Sequence, residues 1–192
     1  MEEIFEALGG LRNIKNISNA VLDNEDIASI EKSIDSHLPD DYKSYLKDYG
    51  LKGFNESVFF KPLNTEAIYI HDEILGIPNF VFKGSYVDSF FGKVENSPKD
   101  IFKNLNMYQD RIPKKCLPIG GDGLGNLILI RLTENNYSNI LFWDHENEWD
   151  EEDYEEESEG RSFEENIKYQ NTYLIGDNFT NFLERLEVKP EM

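Results

Sequence analysis

Four glycines, at positions 120, 121, 123 and 125, form a cluster that could bind the phosphates of a nucleotide. In a dinucleotide-binding loop, glycines occupy the first, third and sixth positions, and counted from Gly121 the sixth position is Asn126. Such a loop also opens a helix whose N-terminus receives the phosphates, whereas an apolar run typical of a strand follows here. No Gly-Lys-Ser/Thr sequence occurs either. The glycines therefore predict a tight turn that needs positive φ angles, and no cofactor.

Histidine and cysteine, which often bind metals or attack substrates, are few and scattered. His37, His71 and His145 form no HxxxH or HxH pair, and only His145 lies between two acids. The acidic stretch around it lacks the alternating pattern and central glycine of a calcium loop, which leaves weak calcium attraction as the one alternative. Cys116 follows two lysines that could activate it, but the sequence shows no positioned base. We predict no metal, no catalytic residue, a structural cysteine, and a protein that is not an enzyme.

The charge balance is strongly acidic, with 38 acidic against 19 basic residues and a formal net charge of −19. Residues 144–160 contain eleven acids and no Lys or Arg, so this stretch accounts for most of the imbalance. Nucleic acid and anionic membranes repel such a chain, while basic protein surfaces attract it. We predict an extended, solvated acidic loop, and neither nucleic-acid nor membrane binding. The alternative is that the charge serves solubility alone.

Length and composition favour one domain over residues 1–192. The chain has 192 residues, 39% of them hydrophobic and 13% aromatic, which is enough for a sizeable core without disulfides. Its single cysteine suits a reducing cytoplasm. The acidic N-terminus lacks the pattern of a signal peptide, and no apolar run approaches the length of a membrane span. We therefore expect a cytoplasmic protein.

Three helices before residue 110 follow from apolar periodicity and capping residues, after a short N-terminal helix near residue 4. The first spans residues 24–37, capped by Asp23, with a buried stripe at every third or fourth position. The second begins at Pro39, and Gly50 is its left-handed C-terminal cap. The third is capped by Ser97 and ends near Tyr108. The stripe of the second helix consists of Tyr42, Tyr45, Leu46 and Tyr49, and we assign it to the core.

Short runs rich in β-branched and aromatic residues predict the strands. These runs are Val58–Phe60, 67–70, 80–82, 127–132, Ile140–Trp143 and 172–175. The runs at 127–132 and Ile140–Trp143 are joined by a polar turn at 133–139 and predict a hairpin entered through the glycine loop. A last helix, capped by Asp177, carries Phe179, Phe182, Leu183 and Leu186. This order predicts an α+β fold with a multi-stranded, largely antiparallel sheet, and we expect any functional face where the hairpin ends.

Three motifs occur in an order that resembles the SUKH superfamily, the Smi/Knr-type domain. They are Ile30-Glu31 followed by LPDDYKSYLKDYG at 38–50, the DGLGN turn at 122–126, and the strand end FWDHE at 142–146. The resemblance covers about residues 20–187, and an acidic insert at 147–165 departs from it. It implies an α+β domain, with helices packed on a sheet, and no enzymatic activity. Many members are immunity proteins that bind a toxin domain encoded beside them, and many of those toxins are nucleases.

The resemblance and the charge together lead to the hypothesis of an immunity protein that occludes a basic, nuclease-like toxin domain. Trp149 and Tyr154 are the expected anchors, because binding hot spots favour Trp and Tyr. Trp143 is instead expected in the core or against the glycine loop. The alternative is an interaction scaffold or regulator of the same fold without a toxin partner, and we expect a monomer or a weak homodimer. The candidate toxin-binding residues are Asp144, Glu146, Glu148, Trp149, Asp150, Glu151, Glu152, Asp153, Tyr154 and Glu155.

Overall fold

A seven-stranded antiparallel sheet forms the centre of the fold in the computed structural model, which describes residues 1–14, 17, 20–63, 84–148, 152, 156 and 171–189. The strand order is β1-β2-β5-β6-β7-β8-β9, and a second sheet has the order β10-β3-β4. The strands are β1 Leu11–Arg12, β2 Lys52–Phe54, β3 Val58–Phe60, β4 Ser85–Tyr86, β5 Ser89–Phe90, β6 Cys116–Gly121, β7 Leu127–Arg131, β8 Ile140–Trp143, β9 Thr172–Gly176 and β10 Glu187–Val188. The strands predicted at 67–70 and 80–82 lie outside the described residues.

Five α-helices accompany the two sheets in the described part of the chain. They are α1 Glu2–Ala7, α2 Asn24–Ile34, α3 Asp40–Asp48, α4 Ile101–Tyr108 and α5 Phe179–Glu184. Asp23 caps α2 as predicted, since its carboxylate accepts hydrogen bonds from the backbone of Glu25 and Asp26. Gly50 follows α3 with φ +59°, the left-handed conformation that its position after the helix predicts. The protein is thus a single α+β domain with a large antiparallel sheet, which confirms the predicted class.

The tyrosine stripe of α3 lies in the core. Tyr42, Tyr45 and Leu46 are completely buried. The Tyr45 ring makes edge-to-face contacts with Phe90 of β5 at 5.3 Å and with Phe179 of α5 at 5.1 Å between centroids. These contacts join α3, the sheet and α5 into one core, and the periodic spacing of the stripe predicts them because burial favours one helix face.

Several helix ends differ from the predictions; α3, for example, begins at Asp40 and not at Pro39. Helix α2 stops at Ile34, not near His37, because Asp35 takes a left-handed conformation with φ +53°. Helix α4 is capped by Asp100, which accepts the Lys103 N–H at 2.7 Å, and not by Ser97. Helix α5 is capped by Asn178, whose side chain accepts the Asn181 N–H, and not by Asp177. At the starts of α4 and α5 a second good capping residue lies within three positions of the predicted one, and the tertiary structure decides between them.

The predicted hairpin is present as β7 and β8, with Leu127 opposite Trp143 and Ile130 opposite Ile140. The glycines before it, however, do not form one loop. Gly120 and Gly121 belong to β6, which pairs with β7 and with β5, so that only residues 122–126 make the turn. Strands β6 to β9 therefore run as a four-stranded antiparallel meander that ends at the β9 edge of the sheet, and the hairpin is its central part.

Candidate functional site

The turn at residues 122–126 is held in shape by the carboxylate of Asp122. This side chain accepts the N–H of Leu124 at 2.8 Å, the N–H of Asn126 at 3.3 Å and the side-chain amide of Asn126 at 2.7 Å. Gly123 and Gly125 have φ angles of +81° and +106°, as the predicted positive-φ turn requires. The turn places Leu124 at its tip with 75% of its surface exposed. An apolar side chain is thus presented to solvent by a rigid loop.

The glycine turn is bound through Asn126 to the start of the acidic stretch, residues 144–160. The side-chain oxygen of Asn126 accepts the backbone N–H of His145 at 3.0 Å and lies 2.8 Å from Nδ1 of the same residue. Because an amide oxygen only accepts hydrogen bonds, the imidazole carries its hydrogen on Nδ1. The second and third motifs of the sequence, DGLGN and FWDHE, therefore form one structural unit.

Asp144 is buried and supports this unit from inside. It caps the short 3-10 turn His145–Asn147, accepting the N–H of Glu146 at 3.2 Å and the side-chain amide of Asn147. Its exposed fraction is 1%. Burial raises the pKa of this carboxyl, and the two hydrogen bonds only partly oppose that effect. The structure thus does not present Asp144, a predicted toxin contact, as a surface acid.

Glu148 forms an ion pair with another residue of the chain, whereas Glu146 is exposed. The Arg111 guanidinium donates from Nε to Glu148 Oε1 at 2.8 Å and from its terminal nitrogen to Oε2, a bidentate ion pair. The same guanidinium lies over the rings of Tyr108 and Trp143, 4.9 and 5.4 Å from their centroids. Arg111 thereby fixes the place where the acidic segment begins.

The remaining predicted contacts are only partly described. Glu152 is exposed, and so is Glu156 further along the acidic stretch. Trp143 is fully buried against Tyr108, which confirms its predicted place in the core. Outside the described residues lie Trp149, Asp150, Glu151, Asp153, Tyr154 and Glu155.

A cleft of about 260 Å³ opens beside the glycine turn, and sequence reasoning did not detect it. Its ionic group joins β5 to the turn before α4: the Lys99 ammonium donates to Asp88 Oδ2, and to Ser89 Oγ at 2.6 Å. Partial burial is the largest single effect on the Asp88 carboxyl and would raise its pKa, but Lys99, Ser89 and Arg12 together outweigh burial and lower that pKa. Neither stretch carries a recognisable motif, and the pair meets across eleven residues only in the folded chain.

Cys116 and the histidines do not form a reactive or metal-binding group in the described part of the chain. Cys116 is buried in β6, and burial raises the pKa of its thiol to about 12, so the thiolate nucleophile is scarce at neutral pH. His37 is exposed, and His71 lies outside the described residues. No three His, Cys, Asp or Glu side chains among those described are grouped to hold a metal ion. Nor does this part of the chain contain a helix long and apolar enough to cross a membrane.

The helices packed on an antiparallel meander, with the DGLGN turn bound to the FWDHE strand end, define a domain of the SUKH class. The sequence profile of the family SUKH_6, described as SMI1-KNR4 cell-wall, matches residues 24–167. The chain belongs to this family, which confirms the resemblance seen in the sequence. The match begins at the start of α2 and includes the acidic stretch.

A curated relative is the SPbeta prophage-derived uncharacterized protein YokK of Bacillus subtilis (strain 168). The two sequences are 30% identical over 135 residues, which is 64% of this chain and 62% of that protein. The chain therefore covers less than two thirds of the relative's length. Domains of the SUKH family are generally associated with immunity proteins.

Proposed function

We propose that this protein is an immunity protein that binds and neutralises a cognate polymorphic or contact-dependent toxin domain in the cytoplasm. The toxin is a basic, nuclease-like domain, and inhibition is stoichiometric occlusion without any enzymatic step. The observation that carries this proposal is the placement of the acidic stretch. It leaves the sheet at the hydrogen-bonded unit formed by the glycine turn and the Asp144 cap, and Glu146 is its first exposed acid.

Charge supplies the mechanism of recognition. A net charge of −19, with eleven acids between residues 144 and 160, attracts the basic cleft in which a nuclease holds nucleic acid. Complementary charge mainly accelerates association and selects the partner, while a few buried aromatic anchors supply most of the affinity. Trp149 and Tyr154, set among the acids, are the proposed anchors.

We assign different roles to the acids of this stretch. Asp144 acts as a support, because it is buried and caps the 3-10 turn. Glu148 acts through its ion pair with Arg111, which orients the chain at the base of the segment. The contacts are therefore assigned to Glu146, Glu152 and Glu156, which are exposed, together with the neighbouring acids of the same stretch.

The test is co-purification of the full chain with the toxin domain encoded beside it, at low and at high salt. We expect a one-to-one complex whose affinity falls as salt rises, because counterions screen the acidic surface. A tight complex that is indifferent to salt would retain immunity and refute occlusion by charge. No complex with the neighbouring gene product would refute the immunity proposal and favour an interaction scaffold of the same fold.

A further inference from the structure

The cleft beside the glycine turn contains the Asp88 carboxylate, which Lys99 holds in place and which is still partly exposed to solvent. Glycines 121, 123 and 125 line one side, and Phe91, Tyr108 and Leu127 provide apolar surface. A side chain at Gly123 would cover the acid, because an ideal Cβ there lies 3.4 Å from Cβ of Asp88 and 4.0 Å from its Oδ1. Because glycine has no side chain, the Asp88 carboxylate remains accessible from the cleft.

Two acceptors in this cleft have capacity to spare. Among the described hydrogen bonds, Lys99 and Ser89 both use Oδ2 of Asp88, and 36% of the Asp88 side chain is exposed. Asn104 is buried to 6% exposure, and its amide nitrogen donates to the carbonyls of Pro98 and Asp100 at 2.8 Å each. Those two bonds fix the amide orientation, so that Asn104 Oδ1 is the atom left to accept.

The charges near the cleft are the carboxylates of Asp88 and Asp122 and the ammonium of Lys99, and Arg12 lies close enough to help lower the pKa of Asp88. Asp122 lies between two of the lining glycines and takes part in no ion pair among the described residues. Lys99 is the one basic residue in the cleft wall, and its ammonium is directed to Asp88 Oδ2 and Ser89. The Lys99 ammonium holds the Asp88 carboxylate in place through Oδ2, and no described hydrogen bond joins it to Oδ1. A planar donor with several N–H groups and an apolar stem matches two acceptors set among aromatic walls.

We propose that this cleft binds an arginine side chain presented by the protein partner. The guanidinium donates to Asp88 Oδ1 and Asn104 Oδ1, its plane lies along Tyr108, and Leu124 packs against the partner surface around it. This inference rests on the proposed function for the identity of the partner, and it adds a second, pocketed contact to the diffuse acidic one. The −19 charge of the chain already selects basic surfaces, where arginine is abundant.

The test is an NMR titration of the full-length, isotopically labelled protein with N-acetyl-arginine methylamide. The matched comparators are the citrulline analogue, which has nearly the same shape without charge, and the lysine analogue. We expect saturable shifts at the amides of Gly121, Gly123, Gly125 and Asn126, in roughly the millimolar range that a few charge-assisted hydrogen bonds give a small ligand. Citrulline should leave these amides unshifted at the same concentration, and lysine should bind more weakly.

The variant Asp88→Asn should weaken arginine binding about tenfold, because it removes one charge-assisted hydrogen bond. Glu134→Gln, an exposed acid in the turn between β7 and β8, should leave it unchanged. Equal shifts with citrulline, or shifts confined to the acidic stretch, would overturn the arginine site. The comparison in the wild-type protein decides this even if the Asp88 variant does not fold. Since no toxin is present in the titration, its failure refutes the cleft site alone, whereas a missing toxin complex refutes the proposed function.

Discussion

The imidazole of His145 lies against the α-carbon of Gly125, so closely that no side chain fits between them. An ideal Cβ at Gly125 would be 2.9 Å from Cε1 and 3.1 Å from Nδ1 of that ring. The contact joins the turn between β6 and β7 to the residue that follows the end of β8 by two positions. It brings the glycine turn and the DHE sequence together although Gly125 and His145 are twenty residues apart in the chain.

Replacing Gly125 by alanine should separate these two segments. The new methyl group collides with the ring, and φ +106° is a conformation that residues other than glycine adopt only under strain. We expect a loss of about 2 kcal/mol or more in the free energy of unfolding, measured by urea denaturation.

Gly10→Ala is the matched control, because Gly10 also has a positive φ, +83°, but faces only a side-chain amide at 3.1 Å. Its cost should be confined to backbone strain, about 1 kcal/mol. If both variants lost the same stability, the contact between Gly125 and His145 would contribute nothing beyond the conformation of the glycine.

Sequence patterns predicted the parts of the fold that depend on local periodicity. The α3 stripe, the capping of α2 by Asp23 and the β7–β8 hairpin all follow from residue types at fixed spacing. Strand β6 was missed because Pro118, Gly120 and Gly121 have low strand propensity. They form a strand only because β5 and β7 pair with it from both sides.

The candidate site was predictable in its location but not in its details. The end of the β7–β8 hairpin is where the turn, the capped 3-10 helix and the cleft meet. No local signal distinguishes the buried Asp144 from the exposed Glu146 two residues later, since burial of a carboxylate depends on the strands around it. The same holds for Asp88 and Lys99, whose pairing requires the turn before α4 to return to β5.

The buried Asp144 should make stability depend on pH in an unusual direction. Burial raises the pKa of its carboxyl above the ordinary value of 3.8, so the folded state holds this proton more tightly than the unfolded state. The stabilisation is fully present below pH 3.8 and is lost as the pH rises through the raised pKa. Asp144→Asn should therefore gain stability relative to wild type as the pH rises from about 3 through that window.

Urea denaturation of both proteins across this pH range measures the difference. Asp23→Asn is the control of opposite sign, because hydrogen bonds from the α2 backbone, led by the Asp26 N–H, lower the pKa of Asp23. Its wild-type advantage is present above pH 3.8 and disappears as the pH falls. Parallel curves for wild type and Asp144→Asn would show that the carboxyl is not perturbed by burial.

The exposed acids of the segment should determine how fast the toxin domain associates. We expect the triple variant Glu146→Gln, Glu152→Gln and Glu156→Gln to lower the association rate about tenfold at low salt and to flatten its salt dependence. Dissociation should change less, because rim charges act mainly on encounter. Stopped-flow or surface-based kinetics at two ionic strengths would measure both rates.

The matched control removes the same number of charges from another exposed surface. Glu2, Glu3 and Glu6 of α1 are exposed, and their replacement by glutamine removes the same number of negative charges. An equal effect from both triple variants would mean that total charge, and not the acidic segment, attracts the partner.

A substitution at Tyr45 should stabilise the core, whereas most core substitutions destabilise a protein. Its hydroxyl is completely buried and, among the described residues, makes no hydrogen bond, and neither does that of its neighbour Tyr42. Burial raises the pKa of Tyr45 well above its ordinary value, with smaller contributions from Tyr42 and Tyr49, as expected for a phenol without a partner. An unsatisfied buried hydroxyl costs about 1 to 3 kcal/mol, so Tyr45→Phe should raise the free energy of unfolding by about 1 kcal/mol while the ring keeps its contacts with Phe90 and Phe179.

Tyr137→Phe is the control, because the Tyr137 hydroxyl donates to the carbonyl oxygen of His37 at 2.7 Å on the surface. That variant should be neutral or lose up to about 1 kcal/mol, the net value of one exposed hydrogen bond. Urea denaturation of the two variants beside wild type gives both numbers under one condition. A clear loss of stability in Tyr45→Phe would contradict the prediction, because it would mean that the buried hydroxyl has a partner in solution and that the α3 core is built around a polar contact.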